Sequence, residues 1–192
     1  RSSSQDPFRI YAHFLDMTAM PEAESWSLQQ IVIPSVVKWY SNVLRVYNLE
    51  ENWRLSQTTC SSLVAVPGDH QNPGLPNTDY VLYVFAVNET TKNYIAKGGF
   101  CALDGNSLTN PTAGFLGYNV AFYTALTPEQ EIMVARHEVA HALAFSPSLW
   151  PYFRQPDGSL YSSYTTTVTQ RGHSVTLLTF PKTLARARTA FG

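Results

Sequence analysis

Charge is scarce in this 192-residue chain: lysine and arginine number 13, aspartate and glutamate 14, and the formal net charge is -1. No basic stripe is left for nucleic acid and no acidic block for a disordered tail, so polyanions are excluded as partners. Long apolar runs are lacking too. None reaches the roughly 18 to 20 residues that cross a bilayer, and the polar opening RSSSQD has no apolar segment of the signal-peptide kind. The first residue is Arg1 rather than methionine, which reads as a processed or trimmed chain. Cysteine is limited to Cys60 and Cys101, no glutamate follows Glu138, and no methionine follows Met133.

What is present suffices for a real core, with 44% of residues hydrophobic and 13% aromatic. An even cysteine count, low charge and the sequon Asn88-Glu89-Thr90 together lean towards an oxidising, secreted setting with Asn88 as a glycan acceptor.

Residues 7–17 alternate apolar and polar side chains, which predicts a strand with Phe8, Ile10, Ala12 and Phe14 on one face and His13 on the other. From Ser27 to Leu49 apolar residues recur at helical spacing. This predicts one amphipathic helix kinked at Pro34, or a helix that begins there. The Pro- and Gly-rich stretch before Thr78 is a loop that carries His70. TDYVLYVFAV (78–87) is apolar on both faces, as a central strand is, with AKGGFCALD (96–104) as its neighbour. Glycine-rich TAGFLGYNVAF (112–122) reads as an edge strand. Past the turn at Gln155–Gly158, two β-like runs (160–169 and 173–180) precede a short helix near Pro181.

The clearest local signal is Thr127-Pro128-Glu129-Gln130. A threonine cap, proline at the first helical position and glutamine at the third predict a helix start, and apolar spacing continues the helix through Leu143. On it lies RHEVAHALAFS (136–146). Residues i and i+4 share a helix face, so His137 and His141 can offer imidazole nitrogens to one zinc ion, with Glu138 placed beside the metal as general base. Such a set hydrolyses peptide bonds. Random order of this composition would produce His-Glu-x-x-His about 0.5% of the time.

A catalytic zinc ordinarily takes three protein ligands. A glutamate on a following helix is excluded, because none follows Glu138. A histidine six residues after His141 is excluded as well, because that position is Pro147. Asp157 and His173 remain as candidates within the chain.

ARHEVAHALAFS (135–146) resembles the extended zinc-helix motif of the leishmanolysin family of surface metzincin proteases. The likeness extends to IVIPSVVKWYSNVLRVYNLEENW (31–53), NTDYVLYVFAV (77–87), GGFCALD (98–104) and KTLARARTAFG (182–192). The resemblance implies an α+β fold: a metzincin-like catalytic domain with a twisted mixed sheet and a zinc-binding active-site helix. Residues 1–146 would form its N-terminal subdomain and 147–192 the start of the next. It further implies Zn2+ on His137 and His141, Glu138 as the catalytic base, a Cys60–Cys101 disulfide, and a third histidine and methionine turn beyond residue 192. The implied partners are a peptide or protein substrate, aligned by the strand near 112–120, the C-terminal portion of the same protein, and a membrane reached through parts outside this chain. Ala144 departs from the family's glycine and would be strained if that site needs positive φ. A non-catalytic surface or assembly protein on a protease-like scaffold is the alternative function.

Overall fold

The computed structural model describes residues 4–62, 64–104, 110–123 and 126–191. The chain forms two compact units, Arg1–Ser146 and Pro147–Gly192. In the first unit β1 (Gln5–Pro7) pairs antiparallel with β3 (Arg45–Tyr47). The main sheet has the order β2 (Ile10–Phe14), β4 (Tyr80–Val87), β6 (Pro111–Asn119), β5 (Ala96–Leu103). The first three of these run parallel, and β5 is antiparallel to β6.

Burial of both faces of β4 is what its unbroken apolar sequence requires. Tyr80, Leu82, Val84 and Ala86 face one cluster with the helices, while Val81, Tyr83 and Phe85 face a second with Trp53, Leu55, Cys60 and Val66 from the loop layer. The predicted helix begins earlier than its pattern suggested, as α1 (Glu22–Ser27), and continues through a wide π-type turn at Leu28–Val32 into α2 (Ile33–Val43). Pro34 lies in the first turn of α2, and its missing N–H and its ring disturb the turn before it, where the π geometry appears. The helix also ends short of Leu49. Leu44 is extended, and residues 45–47 are drawn into a strand by pairing with β1.

A second correction concerns the edge. The strand at 111–119 is interior, hydrogen-bonded to β4 and β5, so the run at 96–104 neighbours it rather than β4, and β5 is the edge. Its glycines serve close approach instead. A Cβ on Gly114 would lie 2.1 Å from the Tyr80 hydroxyl and one on Gly117 would lie 2.7 Å from the Phe85 ring.

On the loop-layer face, a short helix α3 (Gly68–Gln71) holds His70 almost fully buried. Its Nδ1 lies 2.9 Å from the Tyr83 hydroxyl, and its ring stands edge-on to His13 at 4.5 Å between centroids. His13 therefore sits on the face opposite Ile10 and Ala12, as the alternation predicted. Burial holds both imidazoles below their ordinary pKa, and the mutual proximity lowers His70 further, against an opposing pull from Asp69. A histidine that resists protonation when folded binds more protons when unfolded. Stability is thus full above the unfolded pKa of about 6.5 and declines as pH falls through it. Thermal melts between pH 7.5 and 5 are expected to show a falling midpoint, with a shallower decline in His13→Gln.

Arg9 and Asp79 join the start of β2 to the start of β4. The Asp79 carboxylate accepts from Arg9 Nε (2.9 Å), a terminal Arg9 nitrogen (2.7 Å), and the backbone N–H groups of Arg9 (3.1 Å) and Leu49 (2.8 Å). Burial pushes this carboxyl up, but the Arg9 and backbone hydrogen bonds outweigh it and hold the pKa below the ordinary value.

The loop layer is tied to the sheet by the Cys60–Cys101 disulfide, with a Cα–Cα distance of 5.0 Å. Register skips from Phe100 to Ala102, so Cys101 is the extra residue of a β-bulge, which re-aims its side chain. In the second unit β7 (Thr165–Gln170) and β8 (His173–Leu178) form an antiparallel hairpin. The two turn residues, Arg171 and Gly172, both have positive φ, the geometry that matches hairpin twist. The helix α5 (Pro181–Phe191) follows, beginning at Pro181 as expected. Among the described residues no helix is long and apolar enough to cross a membrane.

Candidate metal centre

The helix α4 (Pro128–Ala142) begins as its sequence predicted. Thr127 Oγ1 accepts from Gln130 N, and Gln130 Oε1 accepts from Thr127 N, a reciprocal capping box. Its buried face carries Glu131, Ala135, Val139 and Ala142. His137 and His141, off that stripe, are exposed and half-buried respectively.

Two tyrosines hold the helix against the rest of the unit. Tyr40 donates to the Arg136 carbonyl at 2.8 Å, and buried Tyr80 donates to the Ala142 carbonyl at 2.7 Å, one of the acceptors a helix end leaves unpaired. Gly114 gives the Tyr80 hydroxyl its space. Burial raises the Tyr80 pKa well above the ordinary phenol value, so the hydroxyl keeps the proton it donates.

The helix ends in a Schellman motif. Phe145 N donates to the Ala140 carbonyl at 2.9 Å and Ala144 N to the His141 carbonyl at 3.4 Å, with Ala144 at φ +118°. The strain anticipated for an alanine at the family's glycine position is therefore present. Ala144→Gly is expected to stabilise the fold by about 1 kcal/mol, read as a raised urea midpoint at unchanged slope.

That motif also orients His141. It carries the Phe145 carbonyl to 2.7 Å from His141 Nδ1. A carbonyl only accepts, so Nδ1 holds the proton and Nε2 is left with its lone pair, the outer contact that fixes a metal-binding imidazole. His141 Nε2 and His137 Nε2 lie 3.2 Å apart. Two nitrogens bound tetrahedrally to zinc at 2.0–2.1 Å stand about 3.3 Å apart, so the pair fits a shared ion. Glu138 Oε2 accepts from Gly98 N on β5 at 2.7 Å, and a Cβ on Gly98 would lie 2.1 Å from the Glu138 carbonyl oxygen. The strand thus descends onto the helix at the glutamate itself.

Beneath this surface Glu131 is buried and shared by the Tyr123 and Ser27 hydroxyls. Tyr118 is fully buried, and its pKa is raised by burial and by the carboxylates of Glu131 and Glu138. Sequence reasoning did not single out Gly98, Tyr80, Phe145 or Glu131. The adjacent glycines 98 and 99 in a strand were the one signal for a close approach.

Both in-chain candidates for a third ligand lie in the second unit. His173 opens β8 and is exposed, while Asp157 Oδ1 accepts from Ser159 N and Ser159 Oγ at 2.9 and 2.7 Å. The Ser159 hydroxyl and amide hold the Asp157 carboxyl below its ordinary pKa. Among the described residues no group of three or more His, Cys, Asp or Glu side chains is disposed to hold a metal.

A mixed sheet packed against helices, one of which carries His-Glu-x-x-His, is consistent with a peptidase domain. The family model described as Leishmanolysin matches residues 20–192, and the chain belongs to that family. It is 26% identical over 166 residues to the leishmanolysin homolog of Crithidia fasciculata, covering 86% of this chain and 24% of that protein. It is 24% identical over 164 residues to leishmanolysin of Leishmania chagasi, covering 84% and 26%. A leishmanolysin-like peptidase of Drosophila melanogaster is 32% identical over 126 residues, covering 61% and 16%. The chain spans about a quarter of the length of the first two relatives.

Proposed function

We propose that this chain is the N-terminal catalytic part of a leishmanolysin-type zinc endopeptidase, extracellular or at a cell surface. The observation that carries the reading is the His137–His141 pair, with Nε2 atoms 3.2 Å apart and His141 oriented by Phe145, on the helix of a metallopeptidase family. His137 and His141 would hold the ion through Nε2, and a third ligand from outside the described residues would complete the set. Zinc, when bound, supplies Lewis-acid polarisation of the scissile carbonyl and lowers the pKa of a bound water. Glu138 takes the proton of the attacking water on a carboxylate oxygen and delivers it to the leaving amine nitrogen.

The substrate is an extended peptide or a protein segment. It adds as a strand to the edge of β5, which among the described residues has a strand neighbour on one side only. Asn88, exposed in the connection after β4, carries a glycan in this reading, and the disulfide fits the same oxidising compartment. The reading is tested by the zinc content and ligand set of the full-length protein, together with loss of peptide hydrolysis in Glu138→Gln. The non-catalytic alternative rests on the two ligands, rather than three, that the described residues bring together. Hydrolysis that depends on Glu138 would remove it.

A further inference from the structure

The bond between Glu138 and Gly98 joins the proposed general base to the proposed substrate edge. In an antiparallel ladder the N–H and C=O of one residue point to the same side, and alternate residues point to opposite sides. Gly98 N donates to Glu138 Oε2 rather than to β6, so Gly98 faces the free edge. By the same alternation Ala96 and Phe100 face it too, until the bulge at Cys101 breaks the ladder. A peptide added to β5 must therefore offer a main-chain carbonyl to the Gly98 N–H, and in the structure the Glu138 carboxylate already fills that place. A backbone N–H has one proton to give. Gly98 also lies so close to the helix that a Cβ there would stand 2.1 Å from the Glu138 carbonyl oxygen.

We propose that the Glu138 carboxylate and a main-chain carbonyl of the bound peptide compete for the Gly98 N–H, so that strand addition at β5 frees the general base. The inference rests on the protease reading and adds its control. Without peptide the carboxylate is latched to the edge strand. With a peptide long enough to pair at Gly98, the latch opens and Glu138 is free to turn to the water. Gly98 is then a positioning residue acting through its backbone, and the site favours extended chains over short peptides that stop before it.

The test compares two inactive forms of the full-length, zinc-loaded protein. Gln in place of Glu138 keeps a side-chain oxygen that accepts from Gly98, Ala keeps none, and both are neutral. Calorimetric titration with an extended peptide is expected to show binding roughly 3- to 10-fold tighter to Glu138→Ala than to Glu138→Gln, the worth of one net hydrogen bond. Alkene isosteres of single peptide bonds, stepped along the peptide, should include one position at which the difference disappears. Equal affinities, the reverse order, or no binding to either variant would overturn the proposal. Melting curves and zinc content of both variants establish that they are folded and loaded. Failure of the protease reading would be seen separately, as an unsubstituted, zinc-loaded protein that hydrolyses no peptide.

Discussion

Substituting glutamine for Glu138 in the full-length protein is expected to lower kcat/KM for peptide hydrolysis by roughly 100- to 10,000-fold, the range for loss of a general base. Zinc content and melting temperature should stay close to those of the unsubstituted protein. Glutamine is isosteric, and its amide oxygen can still accept from Gly98 N, so the contact between β5 and α4 is kept. What is lost is the site that takes a proton from water and returns it to the amine. A drop in activity accompanied by a large drop in melting temperature would instead make Glu138 a structural residue. Steady-state kinetics beside calorimetry separates the two.

Removing the Cys60–Cys101 bridge is expected to have the largest effect on stability. The cysteines are 41 residues apart, and the chain-entropy model gives about 4 kcal/mol for closing a loop of that length. Cys60 is fully buried beside Trp53, Leu55 and Val66, so the loop layer has its own apolar reason to stay on the sheet. Paired Cys60→Ser and Cys101→Ser should lower the urea midpoint markedly, and reducing agent should do the same to the unsubstituted protein. A loss below about 1 kcal/mol would mean that the layer is held by packing and that the bridge adds little.

Local chemistry explains which parts of this fold could be read in advance. The start of α4 was legible because Thr127, Pro128 and Gln130 satisfy the first turn's own donors without help from elsewhere. β4 was legible because burial on both faces leaves no room for alternation. The helix predicted over Ser27–Leu49 was misread at both ends. Its π-type turn and its early stop at Val43 depend on a proline's neighbours and on strand pairing with residues 5–7, neither of which periodicity encodes. The edge strand was misassigned for a similar reason: glycines in β6 admit the Tyr80 hydroxyl and the Phe85 ring, contacts made across the sheet and invisible along the chain. At the site, spacing placed His137, Glu138 and His141 on one helix. The Phe145 carbonyl and the Gly98 amide came from a helix cap and from an edge strand 40 residues away in sequence.

Ala144 links the two levels. As a departure from the family's glycine it was readable in sequence, and φ +118° shows that the helix cap is formed regardless. The cap persists because it satisfies two carbonyls and delivers the Phe145 oxygen to His141. The strain is local, at the residue before the Phe145 carbonyl that meets His141.

The measurement that bears most directly on the central claim is zinc K-edge X-ray absorption on the full-length protein, with metal content measured on the same sample. The account predicts one zinc per chain with three imidazole ligands at 2.0–2.1 Å, two of them lost together when His137 and His141 are both replaced by alanine. No bound zinc, or a zinc whose spectrum is unchanged in that double variant, would contradict it.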